Sequence, residues 1–218
     1  MTKEINSREG YRAPIIRIKD AWLLRDNTSR HLHELWGGDK PLADDQWMKQ
    51  RVGDYQKAWQ PYEQKILYGM TEILGLTFRQ NIIDVYIAPW FRAFSDPLVI
   101  GVMKEPDEFI DILTHELLHR LLTDNTVISH KMEQKLVLEW GRLFGKDLPF
   151  VQLVHIPVHA VHKAIYLDLL GESARFERDV ANNKKHDATD YIAAWEYVNK
   201  QGYQTIIKQL QELYSNLK

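Results

Sequence analysis

The chain has no cysteine among its 218 residues. This absence excludes a disulfide scaffold, a cysteine nucleophile and a cysteine-ligated zinc site, so histidine and carboxylate side chains have to hold any transition metal. Long apolar runs are also missing, because no stretch reaches the roughly 18 apolar residues of a membrane span. Residues 1–12 lack the apolar segment of a signal peptide. We therefore expect a cytoplasmic protein with no membrane partner.

An excess of charge of one sign is absent as well, since the net charge is −2. A nucleic-acid-binding protein favours a strong basic excess, so no nucleic-acid partner is expected. Hydrophobic residues make up 44% of the chain and charged residues 27%, which is ordinary for a soluble globular protein. The length suits one domain with a sizeable core.

Caps, glycines and apolar spacing predict helices over most of the chain. The predicted helices cover residues 15–36, 44–60, 61–74, 106–122, 131–144, 157–171, 188–200 and 203–217. Apolar and β-branched runs at 82–88 and 98–103 predict two short strands, and the compact loop between them favours an antiparallel pair. The predicted fold is therefore α+β and mostly helical.

The order of these elements predicts a single domain over residues 1–218. It would contain an N-terminal helical part (1–75), a small antiparallel β unit followed by the metal-site helices (81–171), and C-terminal helices (187–218).

One helical segment carries chemistry: His115-Glu116-Leu117-Leu118-His119. Histidines four apart lie one turn apart on the same helix face, so both imidazoles can reach one metal ion at about 2.0–2.1 Å. Glu116 is offset by one position, where it can accept a proton from water that zinc activates without competing as a ligand. The apolar residues around the motif predict a buried helix, in which unpartnered polar groups would be costly.

The strand pair at 82–103 followed by the HExxH helix resembles the core of the zincin metallopeptidases. The resemblance covers about forty residues and implies a zincin-like fold, zinc as cofactor, Glu116 as general base and a peptide or protein as substrate. It also implies that one strand, 82–88 or 98–103, lines the cleft and pairs with an extended substrate. The metzincin continuation HExxHxxGxxH is absent, because Arg120-Leu121-Leu122-Thr123 follows His119.

A zincin site needs a third protein ligand, and the sequence offers several. His155, His159 and His162 follow one helical face in an apolar segment, and we rank His159 first. His155 and Glu139 remain alternatives, and Glu133 and His130 are further options. Glu139 has the spacing of thermolysin-like enzymes, but Leu138 and Leu143 replace the Asn and Asp that flank the ligand there.

Supporting groups are also expected around the metal. A ligating histidine usually donates its other ring nitrogen to a carboxylate or carbonyl; the candidates are Asp111, Asp168, Glu172 and Asp179. A donor has to stabilise the oxyanion of the transition state, and His155, if it is not a ligand, or Tyr166 can supply it.

Three functions compete at this point. The leading hypothesis is a zinc-dependent hydrolase, a metallopeptidase that uses Glu116. The second is a zinc-binding but non-catalytic partner-binding module with a zincin-like fold. The third is a metal-free helical structural protein.

Overall fold

A computed structural model describes residues 13–27 and 44–217. The strands are β1 (Ile15–Asp20), β2 (Ile82–Ile87), β3 (Phe94–Ser95) and β4 (Leu98–Ile100). The helices are α1, of which residues 22–27 are described, α2 (Asp45–Trp59), α3 (Glu63–Leu74), α4 (Pro106–Thr123), α5 (Glu133–Phe144), α6 (Phe150–Ala164), α7 (Ser173–Lys185), α8 (Thr189–Gln201) and α9 (Tyr203–Asn216). The fold is α+β and mostly helical, as predicted. Within the described ranges, no helix combines the length and apolar character that crossing a bilayer requires.

The sheet departs from the predicted antiparallel pair. Its strand order is β1-β2-β4-β3, and β2 pairs in parallel with both β1 and β4. β3 is antiparallel to β4 and lies in the segment predicted as a loop. The chain reverses once at β3 and again before β4, so β4 returns parallel to β2. The antiparallel prediction was wrong because it overlooked this two-residue strand.

The predicted helix over 15–36 is also wrong in its first part. Residues 15–20 form β1, which pairs along its whole length with β2, from Ile15 opposite Ile82 to Asp20 opposite Ile87. β-Branched side chains favour strands when a neighbouring strand is present, and here that neighbour lies 67 residues along the chain. The end of the predicted helix, residues 28–36, lies outside the described residues.

The helix that carries the motif begins where the sequence predicted. Pro106 occupies the first turn of α4, and the acidic Asp107 and Glu108 complement the helix dipole. One side of α4 joins the main apolar core through fully buried leucines, among them Leu113, Leu117 and Leu121. The core therefore fixes the rotation of α4 and, with it, the direction of the motif's polar side chains.

α6 begins earlier than predicted. The sequence placed its start near Pro157, but the helix begins at Phe150 and contains Pro157. Proline inside a helix lacks the N–H that would donate to the carbonyl four residues earlier, which here is that of Leu153. Burial of the apolar residues around Pro157 offsets this loss. All three histidines of α6 (His155, His159 and His162) therefore lie in regular helix.

The remaining helices largely follow the prediction. α2 starts after Asp44, whose side chain accepts a hydrogen bond from the Trp47 N–H at 2.7 Å. α3 ends at Gly75, which adopts the left-handed conformation with φ of 65°. α8 and α9 match the two predicted C-terminal helices, whereas α7 was not predicted.

Candidate metal centre

Two polar stripes face each other where α4 packs against α6. On α4, Asp111, His115 and His119 follow one another at intervals of one turn, so they share a face. On α6 and the π-helical turn Ile165–Leu170 that continues it, the stripe consists of His155, His159, His162 and Tyr166. The structure thus brings the two histidine segments of the sequence together.

Three imidazoles converge at one end of these stripes. The Nε2 atom of His119 lies 3.1 Å from Nε2 of His115 and 3.3 Å from Nε2 of His155. Tetrahedral coordination with metal–nitrogen bonds of about 2.0–2.1 Å requires nitrogen–nitrogen separations of roughly 3.3–3.4 Å. The two separations from His119 therefore match that spacing, and the nitrogens of all three rings lie within 4.8 Å of one another. We call this group the histidine trio.

His155 is held in the orientation that a ligand needs. Its Nδ1 lies 2.6 Å from the carbonyl oxygen of Val151. A carbonyl oxygen can only accept, so Nδ1 carries the proton and Nε2 presents its lone pair to the other two rings. Burial lowers the pKa of His155 to about 4, and the ring is therefore neutral near pH 7.

The other two rings of the trio are neutral for the same reason. Burial lowers the pKa of His119 to about 3 and that of His115 well below its ordinary value, with the neighbouring histidines adding to the effect. Metal ligation requires deprotonated imidazole, so binding needs no prior loss of a proton. Both residues keep part of their surface accessible, which leaves solvent a path to one side of the trio.

Glu116 lies next to the trio along α4 and is 7% exposed. Burial raises the pKa of its carboxyl to about 7. A carboxyl with this pKa can both accept and release a proton near neutral pH, which suits a general base that later acts as an acid. The predicted role of Glu116 is thus compatible with its surroundings.

The histidine ranked first from the sequence, His159, lies farther from the motif than His155 does. The rings of His159 and His155 are 5.5 Å apart between centroids, and those of His159 and His115 are 5.8 Å apart. In the described part of the chain, however, only the nitrogens of His115, His119 and His155 lie mutually within 4.8 Å. The geometry therefore favours His155 over His159 as the third ligand, and both the ligand and the alternative role of His155 as a transition-state donor stay predictions.

Glu139, the acidic alternative on α5 whose side chain is described, does not join the trio. The carboxylate of Glu139 forms an ion pair with Arg142 at 2.5 Å. The side chains of Glu133 and His130 lie outside the described ones.

The carboxylates expected to support the ligands have other partners. Asp111 binds Arg175 and Arg178, and Glu172 also binds Arg175. Asp168 accepts the Tyr203 hydroxyl, and Asp179 accepts the indole N–H of Trp195. Among the described residues, the support visible for the trio is instead the backbone carbonyl of Val151.

Tyr166 is also unsuited to the role predicted for it. Its side chain is buried, its hydroxyl has no hydrogen-bond partner among the residues described, and its ring packs 4.2 Å from that of His162, deeper along the stripe. A side chain in this position cannot contact a substrate at the trio.

Sequence reasoning missed Tyr191, whose half-buried ring lies 4.0 Å from that of His155. Burial raises the pKa of Tyr191, and the nearby charge of Glu116 raises it further. Tyr191 comes from α8, far from the motif in sequence, and no local pattern marks it.

Comparison with known proteins adds no relative: no family model matches the chain, and no curated protein or solved structure matches it significantly. The resemblance to zincins therefore stays a prediction from the sequence of residues 82–122.

Proposed function

We propose that this protein is a zinc-dependent hydrolase that cleaves peptide bonds, with His115, His119 and His155 as ligands. The observation that supports it best is the spacing of the trio beside a buried carboxyl, Glu116. Three neutral imidazoles are donors that zinc prefers, whereas magnesium and calcium prefer oxygen. The donor set and its spacing thus fit the proposed ion.

Each residue then has a defined task. When bound, zinc supplies a Lewis acid that polarises the substrate carbonyl and lowers the pKa of water in the site. Glu116 accepts a proton from the attacking water and returns it to the leaving nitrogen. Tyr191 stands beside His155, and among the described residues its hydroxyl has no hydrogen-bond partner, so it can donate to the substrate carbonyl oxygen.

The sheet edge determines how an extended substrate would bind. The strands predicted to line the cleft are both internal, because β2 lies between β1 and β4, and β4 lies between β2 and β3. Among the described strands, β1 and β3 form the edges of the sheet, and β3 is the edge strand that contacts α4. Asp96, directly after β3, pairs with Arg120, the residue that follows His119, at 2.6 Å. A peptide pairing with the free side of β3 would run close to the motif.

One observation favours the second hypothesis, a zinc-binding module without turnover. The edge strand that contacts α4, β3, has only two residues, Phe94 and Ser95, so it offers few backbone groups to fix a substrate. A partner that binds elsewhere would not require a longer edge.

Metal analysis and peptide cleavage, measured together, test the proposal. The purified protein should retain one zinc per chain and cleave members of a random peptide library. Glu116→Gln should keep its zinc and lose roughly 10²–10⁴-fold in turnover, because general acid–base catalysis contributes about that much. Glu139→Gln, a matched change of an acidic residue that pairs with Arg142, should behave as wild type.

The possible failures are distinct. Stoichiometric zinc without cleavage of any peptide would favour the binding module. Failure to retain zinc would favour a metal-free structural protein. Undiminished cleavage by Glu116→Gln would refute the mechanism while leaving the metal site intact.

A further inference from the structure

The ring centroids of His115 and His155 are 5.3 Å apart. This pair forms one side of two triangles of imidazole rings, each completed by a different third histidine. His119 completes the first triangle, at 4.8 Å from each ring. His159 completes the second, at 5.8 Å from His115 and 5.5 Å from His155. Imidazoles bound to one tetrahedral ion have centroids about 5.2 Å apart. His159 is therefore within about 0.6 Å of the separation that a ligand needs from two members of the trio.

His159 is 0% exposed, and within the described ranges neither of its ring nitrogens has a hydrogen-bond partner. Buried polar atoms are nearly always paired, so two unpaired nitrogens in one ring require an explanation. A metal ion at the trio would provide a partner for one of them.

Packing fixes the plane of the His159 ring but not the direction of its nitrogens. The ring lies flat on Trp195, with centroids 4.1 Å apart and an interplanar angle of 11°. The Trp195 indole in turn donates to Asp179 at 3.2 Å. A half-turn about the Cβ–Cγ bond of histidine exchanges nitrogen and carbon positions and leaves the ring plane unchanged. His159 can thus turn a nitrogen towards the trio while keeping its stack on Trp195.

We propose that His159 is a fourth imidazole ligand of the metal centre when no substrate is bound. The ion would be a divalent transition metal that accepts nitrogen donors, such as zinc or cobalt. This inference rests on the metal site of the proposed function and extends it. Four protein ligands make a closed site, and departure of His159 would open the position that catalysis requires.

His162 offers a matched control. It is 1% exposed, neither of its ring nitrogens has a hydrogen-bond partner in the part of the chain that is described, and its ring is also 5.8 Å from that of His115. It differs because it packs against Tyr166 and belongs to no triangle with the His115–His155 pair. His159→Phe and His162→Phe each keep an aromatic ring and remove two buried nitrogens. Under the proposal, only His159→Phe also removes a metal ligand.

X-ray absorption of the zinc-loaded full chain tests the proposal by counting imidazole ligands, and competition with a chelator gives the affinity. Wild type and His162→Phe should show four imidazoles. His159→Phe should show three and bind zinc about 10–100-fold more weakly, the range for loss of a group that supports a metal site. The melting temperatures of the metal-free variants report whether each substitution is tolerated.

Three imidazoles and an oxygen ligand in the wild type would overturn the inference, and that measurement requires no variant to fold. Equal zinc affinity of His159→Phe and wild type would also overturn it. Either result leaves the trio and the proposed hydrolase intact, whereas a wild type that binds no zinc refutes both.

Discussion

Arg175 should be among the most destabilising positions to substitute in this protein. Its side chain is 5% exposed and joins three carboxylates. It donates to Asp111 at 2.8 Å and Asp107 at 2.6 Å, both on α4, and to Glu172 at 2.5 Å, just before α7. The guanidinium therefore fixes α7 against the helix that carries the motif, one turn before His115.

The magnitude follows from burial. Arg175→Met keeps much of the side-chain volume but leaves the buried Asp111 with Arg178 as its remaining cation. Removing one partner of a buried ion pair costs about 3–5 kcal/mol when the other charge is left without compensation. Because Arg178 still pairs with Asp111, we expect a loss at the lower end, about 3 kcal/mol. A chain of this size loses about 2–4 °C of melting temperature per kcal/mol, so the expected decrease is roughly 6–12 °C.

Thermal and urea unfolding of the metal-free protein at pH 7 measure this effect. Arg142→Met is the control, because Arg142 is 64% exposed and pairs with one carboxylate, Glu139. Exposed pairs contribute about 0–1 kcal/mol, so this variant should unfold close to wild type. If Arg175→Met were no less stable than Arg142→Met, the reasoning about the buried network would be refuted.

Three further predictions concern the ligand, a buried acid and a close packing contact. His155→Ala should weaken zinc binding by more than about 100-fold in a chelator competition, since it removes a ligand, whereas the exposed His186→Ala should not. Burial, and secondarily the charge of Asp111, raises the pKa of Asp179 to about 7. Folding therefore favours the protonated form of Asp179, and the contribution of this residue to stability falls as the pH rises from about 4 to 7. Asp179→Asn should consequently be more stable than wild type in urea at pH 8 but not at pH 4. A Cβ at Gly101 would lie 2.4 Å from the backbone oxygen of Phe91, so Gly101→Ala should cost about 1–3 kcal/mol in the same assay.

Local patterns in the sequence determined the helix that carries the chemistry. Four-residue spacing puts His115 and His119 on one face whatever the rest of the chain does, and Pro106 with its acidic neighbours marks where α4 begins. The absence of cysteine limited any metal site to histidine and carboxylate ligands. These features depend on neighbours within a few residues, so they can be read without a structure.

Only the tertiary structure decided which histidine of α6 meets this pair. His155 and His159 lie on the same face one turn apart, and the choice depends on how far α6 is displaced along α4. Contacts between buried side chains of both helices set that displacement, and no spacing within either segment encodes it.

Tertiary contacts likewise determine where the strands form and which aromatic side chains lie beside the histidines. The sequence of residues 15–20 predicts the start of a helix, but these residues form β1 because β2, distant in sequence, pairs with them. Tyr191 and Trp195 contact the histidines because α8 packs on α6. Such contacts join residues far apart in sequence, and their free energy comes from burial that exists only once the whole core has formed.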